Sequence, residues 1–162
     1  MKRARLFSLL LVCLLLTGCA SVAVQEPVMA HPFTRYYRAS AGEELLAAET
    51  VDLGNEMPDY VSILNDYFAG PHLPGLVNPF PRELRCESVS VSDGVATIRL
   101  SEEFSTLAGI ELTAAAAAIA RTMEQFEPIS SVCLQTEDVM LSDLWNRPFT
   151  AEAFVFSDTA GQ

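Results

Sequence analysis

Lysine is almost missing from this 162-residue chain: Lys2 is the only one, and Lys2, Arg3 and Arg5 are three of its ten basic residues. From residue 19 onward seven arginines face all 21 acidic residues. A surface so short of cations excludes a nucleic-acid binder, whose partner's phosphates must be neutralised, and gives no electrostatic adhesion to anionic lipid. Histidine is nearly as scarce. His31 and His72 are the only two, neither in a His-x-x-x-His or Cys-x-x-Cys pattern, so no metal site is readable. The chain also lacks a Gly-x-Ser-x-Gly elbow, a Walker loop and a dinucleotide fingerprint, the commonest sequence-visible marks of hydrolases and nucleotide binders. Ser101 with Glu102 and Glu103 reads as a solvated turn or cap rather than a nucleophile and its acids. Glu102 and Glu103 are adjacent and diverge, and nothing places a partner carboxylate at the separation glycosidases need. No catalytic residue and no cofactor is assigned, and the chain is read as non-enzymatic.

Long apolar runs are rare too. The one from Leu6 to Leu16 would rise about 16 Å as a helix, about half a bilayer's hydrocarbon core, which suits a secretory segment better than a span. It ends in Leu16-Thr17-Gly18-Cys19, a lipoprotein-type cleavage box. Residues 1–18 are therefore read as a signal peptide and Cys19 as the lipidation site, holding the mature chain on the extracytoplasmic side of the cell membrane. A plain signal peptide, or an uncleaved anchor, with an incidental cysteine is the alternative. Residues 19–32 are small, polar and proline-containing and read as a flexible tether. Residues 33–157 suit one domain, with a core over 33–137 and a packed C-terminal extension over 138–157; residues 158–162 form a tail.

Phe33 to Ala39 and Leu45 to Leu53, separated by Gly42, predict an N-terminal hairpin. Tyr60, Ile63, Leu64, Tyr67 and Phe68 recur at helical spacing between Pro58 and Gly70-Pro71 and predict a first helix. Pro71 to Pro81 holds four prolines and must be a structured loop. Asp93-Gly94 predicts a two-residue turn that sets Ser92 opposite Val95, Val91 opposite Ala96, Ser90 opposite Thr97, Val89 opposite Ile98 and Ser88 opposite Arg99. Leu112, Ala116, Ile119, Met123 and Phe126 form one stripe of a second helix ended by Pro128, and Ile129 to Gln135 reads as a further strand. The fold class is α+β: two helices packed on one face of a small antiparallel or mixed sheet, with an N-terminal hairpin and a C-terminal extension. Trp145, Phe149, Phe154 and Phe156 predict that the extension packs back, adding an edge strand at Ala153 to Ser157. If neither strand is bulged, Cys86 and Cys133 both project from the more polar sheet face. An exported protein can then bond them, with two separate half-buried thiols as the alternative.

Tyr36-Tyr37, Ala69-Gly70-Pro71, Leu76 to Pro81, the run from Ser92 to Phe104, and Arg121 to Phe126 followed by Ile129 to Leu134 resemble the GerMN domain of the GerM family of sporulation and germination lipoproteins. The resemblance implies a domain like the ring-building modules, which associate side by side. It implies envelope or sporulation proteins as partners, self-assembly, and no catalytic residues. The proline loop with Phe80, Trp145 and Phe149 offers a rival, a pocket for a solute or peptidoglycan. In a cell fractionation, Cys19→Ala is expected to move the protein from the membrane pellet to the soluble fraction; a variant that stays fully membrane-bound contradicts the lipid anchor.

Overall fold

The computed structural model describes residues 31–40, 46–55, 59–136 and 147–154. Strand β1 (Pro32–Ala39) buries Phe33, Arg35 and Tyr37 on one side and turns Thr34, Tyr36 and Arg38 to the other, the period-two pattern of a half-buried strand. It pairs antiparallel with β2 (Leu46–Asp52), from Pro32 opposite Asp52 to Arg38 opposite Leu46. The expected first hairpin is present, and its turn at Gly42 lies outside the described residues.

Helix α1 (Tyr60–Phe68) starts at Asp59, whose carboxylate accepts the Ser62 amide at 2.9 Å and the Ser62 hydroxyl at 2.9 Å. These bonds hold the Asp59 carboxyl below its ordinary range. Pro58 lies outside the described residues. The helix buries Ile63, Leu64, Tyr67 and Phe68, and stops at Gly70, whose φ of 110° few side chains tolerate. A two-residue strand β3 (Leu76–Val77) then returns to pair with Arg38 and Ala39 of β1.

Strands β4 (Cys86–Ser92) and β5 (Val95–Leu100) pair in the register expected from Asp93-Gly94, residue for residue from Ser88–Arg99 to Ser92–Val95. Asp93 and Gly94 both have positive φ, as the favoured hairpin turn requires. A Cβ on Gly94 would also meet Ser130 Oγ at 2.8 Å, so glycine is needed here twice over. After a 3₁₀ turn at Glu102–Thr106 that buries Phe104, helix α2 (Gly109–Met123) crosses over to β6 (Ser131–Thr136), which runs parallel to β5.

The fold is α+β, with the strands divided between two three-stranded sheets, β2-β1-β3 and β4-β5-β6. Helix α2 touches both. Of the expected stripe, Ala116, Ile119 and Met123 are fully buried, but so is every residue from Ala114 to Ala120, because β1 of one sheet and β6 of the other both pack on the helix. Alanine lets both sheets approach closely; a larger side chain would have to push one of them away. Phe126 lies past the end of α2 and stacks between Phe33, at 5.1 Å, and Tyr60, at 5.4 Å. The interior thus runs without a break from the first hairpin through α1 and α2 to the second sheet.

Beyond the hairpin, the C-terminal extension pairs at a different place from the one expected. Phe149 exchanges two backbone hydrogen bonds with Val132 of β6, at 2.9 and 2.8 Å. Ala151–Ala153 form a 3₁₀ turn whose first amide is accepted by the Glu124 carboxylate at 2.8 Å. Ala153 and Phe154 therefore add no edge strand, while Trp145 and residues 155–157 lie outside the described residues.

Candidate functional site

The proline loop is held by side chains the sequence pattern disguises. Glu49 of β2 is 2% exposed, and its Oε1 accepts the backbone amides of His72 and Leu73, each at 2.8 Å. Its Oε2 lies 3.8 Å from His72 Nδ1. Arg35, directly opposite Glu49 in the register, is 4% exposed and turns to α1, donating to Asp66 Oδ2 at 2.7 Å and to the Asp66 carbonyl at 3.3 Å. Buried charges persist only when bonded in this way. Farther along, Asn78 Nδ2 donates to the Phe68 carbonyl at the end of α1, and Asn78 Oδ1 accepts the Phe80 amide. Phe80 packs edge-on to Tyr67 at 4.8 Å and beside Phe68 at 4.8 Å, so the core continues beneath the loop. Burial pushes the Tyr67 and Tyr37 hydroxyls up in pKa, and both stay donors, to the Tyr36 and Tyr67 carbonyls respectively.

On the outside of this support lies a groove of about 340 Å³ between β3, the proline loop and the first turns of α2. Arg38, Val77 and Phe80 line one bank, and Leu107, Ile110 and Glu111 the other. Among the described residues the exposed large apolar side chains are Leu73 (52%), Val77 (42%) and Ile110 (60%), and all three belong to the loop, β3 or the start of α2. Val77 and Ile110 line the groove, and Leu73 is not among its lining residues. Val77 and Ile110 were not singled out by the sequence. Alternation from Phe33 and Tyr37 would have flagged Arg35 as inward-facing, and the polar neighbours of Ile110 could have marked it as solvent-facing.

The residues singled out by sequence are scattered. Cys86 opposes Leu100, one position out of step, because a bulge at Glu87 shifts the register between Cys86 and Ser88. The unbulged premise is thereby corrected: Cys86 joins the apolar face with Ile98 and Leu100, while Cys133, opposite Thr97, stands on the other face. Both cysteines are buried thiols on opposite faces of the sheet, and no disulfide joins them. Asn65 of α1 seals the bulged end, accepting the Cys86 amide at 2.9 Å and donating to its carbonyl at 3.2 Å. Ser101 is 3% exposed and its Oγ accepts the Arg85 amide at 3.0 Å. The same hydroxyl bonds the Glu103 carboxyl and lowers its pKa, an arrangement that fastens the 3₁₀ turn to the start of β4. His31 donates through Nδ1 to the Gly54 carbonyl, 2.7 Å away, and its backbone amide donates to the Asp52 carboxylate. Among the described residues no group of three or more histidines, cysteines or acids converges as a metal site. Phe149 packs on Phe154 at 5.1 Å and on β6, and does not line the groove; Cys19 lies outside the described residues.

Two helices on two small sheets, with a groove at a sheet edge, define an α+β domain rather than a barrel or a bundle. The chain belongs to the Germane family, described as sporulation and spore germination, whose model matches residues 34–141. Among solved structures it is similar to the tandem GerMN domains of the sporulation protein GerM from Bacillus subtilis, at 20% identity over 80% of this chain and 48% of that one, with a TM-score of 0.57. It therefore spans about half the length of that chain. It is also similar to the first GerMN domain of the same protein, at 18% identity over 74% of this chain and 94% of that one, with a TM-score of 0.55. No curated protein matches.

Burial drives the Cys86 thiol up to about 12 and the Cys133 thiol in the same direction, leaving each with little thiolate at neutral pH. Thiol titration of the mature lipidated protein at pH 8 is expected to find almost none in the native state and two per chain after denaturation without reductant. A denatured titre near zero that rises on reduction would contradict the bulged arrangement.

Proposed function

We propose that this protein is a membrane-anchored envelope lipoprotein whose Germane domain holds protein partners during sporulation or germination without catalysing a reaction. The observation that carries the reading is the exposure of Val77 and Ile110 in one groove on an otherwise acidic protein. Water-exposed apolar surface costs stability unless a partner covers it, and an edge strand beside it supplies hydrogen bonds as well. Lipid on Cys19 and the tether to residue 32 would keep that surface near the membrane, where envelope or sporulation proteins meet it.

The solute- or peptidoglycan-binding alternative draws less support. Phe80 is committed to the core, Phe149 stands elsewhere, and Asn78 spends its amide on the Phe68 carbonyl and the Phe80 amide. Co-purification of the lipidated protein from membranes of its own host is expected to recover envelope or sporulation proteins in stoichiometric amounts. Ile110→Asp should cut that recovery by about tenfold, the effect of losing one central apolar contact. A lone protein carrying a solute or glycan fragment would contradict the scaffold.

A further inference from the structure

The groove also indicates what kind of partner segment fits it, an inference that rests on the scaffold reading. Strand β3 stands at the end of its sheet, with β1 on one side and, among the described residues, no strand on the other. Val77 at its end lines the groove, and Ile110 faces the same space from α2. The two banks differ in charge. Arg38, directly across from Val77 in the register, lies on the sheet bank, and Glu111, next to Ile110, lies on the helix bank. Among the described residues neither side chain enters an ion pair. A space of about 340 Å³ is at the small end of ligand clefts, so a segment of a few residues enters it and a folded domain does not.

We propose that the groove takes an extended segment of a partner protein that joins an apolar centre to one acidic and one basic residue. The apolar side chains lie between Val77 and Ile110, and main-chain groups bond the open side of β3, as in other strand additions. The acid meets Arg38 and the base meets Glu111 on the opposite bank. Charge sets this choice. A wholly acidic segment would be repelled by the mature chain, in which seven arginines face 21 acidic residues, and a second copy of the chain would be repelled likewise.

The test uses the mature chain carrying Cys19→Ser, labelled for NMR, and three synthetic seven-residue peptides with a common alternating valine and threonine centre. One begins with Glu and ends with Lys, one has the reverse order, and one has Glu at both ends. One of the mixed-charge peptides is expected to shift the amide signals of Val77 and Ile110 and to bind about tenfold more tightly than the doubly acidic one. Arg38→Glu should weaken that peptide by about tenfold, and replacing the peptide's Glu with Lys should restore it. Arg38 is exposed, and rescue by the reversed peptide charge is an effect that a lost fold cannot give. The proposal is overturned if no peptide moves these signals at millimolar concentration, if all three bind alike, or if charge reversal gives no rescue. It is also overturned if the same signals move with protein concentration alone, which would make a second copy the occupant. Co-purified partners that persist while every peptide fails would sink this inference and leave the scaffold standing.

Discussion

Strand β1 pairs with β2 from Pro32 to Arg38 on one side, and on its other side, where the helices lie, the amides and carbonyls before Arg38 have no strand partner. Such a group costs about 1–3 kcal/mol where it is buried and left unmade. The chain meets this with side chains. Gln125 accepts the Thr34 amide at 3.1 Å and donates to the Thr34 carbonyl at 2.6 Å; Thr122 Oγ1 accepts the Tyr36 amide at 3.3 Å; the Tyr67 hydroxyl donates to the Tyr36 carbonyl. Arg121 lies over the Tyr36 ring from the same helix, its guanidinium 5.3 Å from the ring centre. Two helices are thereby fixed to one strand by groups that must be hydrogen-bonded, and α2, which also lies on β6, joins the two sheets through its alanines.

The groove is a consequence of where that sealing stops. At Arg38 and Ala39 the pairing passes from helix side chains to β3, and between β3 and the first turns of α2 the groove opens. Glu49 then does for the loop what Gln125 does for the strand, accepting two backbone amides from a buried position. Its loop presents Leu73 and delivers Val77 to the edge. The exposed apolar surface on which the functional reading rests is thus held in place by polar groups hidden beneath it.

Much of this was legible in the sequence wherever a local rule decides the outcome. Asp93-Gly94 sets the hairpin register because a two-residue turn leaves no freedom, and the spacing of Ile63, Leu64, Tyr67 and Phe68 gives α1 because one helix face must be covered. The cysteines misled because a single extra residue at Glu87 inverts parity, and a bulge leaves no mark on an alternating pattern. The stripe of Leu112, Ala116, Ile119, Met123 and Phe126 marks one face of a helix, whereas the burial of every residue from Ala114 to Ala120 depends on two sheets formed by residues distant in sequence. Phe149 rather than Ala153 pairs with β6, a choice between two apolar segments that tertiary fit decides. Val77 and Ile110 escaped notice because nothing local tells an exposed apolar residue from a core one.

Hydrogen exchange of the full chain, read at single amides, tests the sealing of β1 most directly. The account predicts that the Thr34 and Tyr36 amides exchange as slowly as the β1 amides bonded to β2, and that Gln125→Ala, at an exposed position, speeds Thr34 by about tenfold, the worth of one hydrogen bond, with Tyr36 little changed. Thr34 exchanging at the rate of an open loop in the unaltered protein, or unmoved by Gln125→Ala, would contradict it.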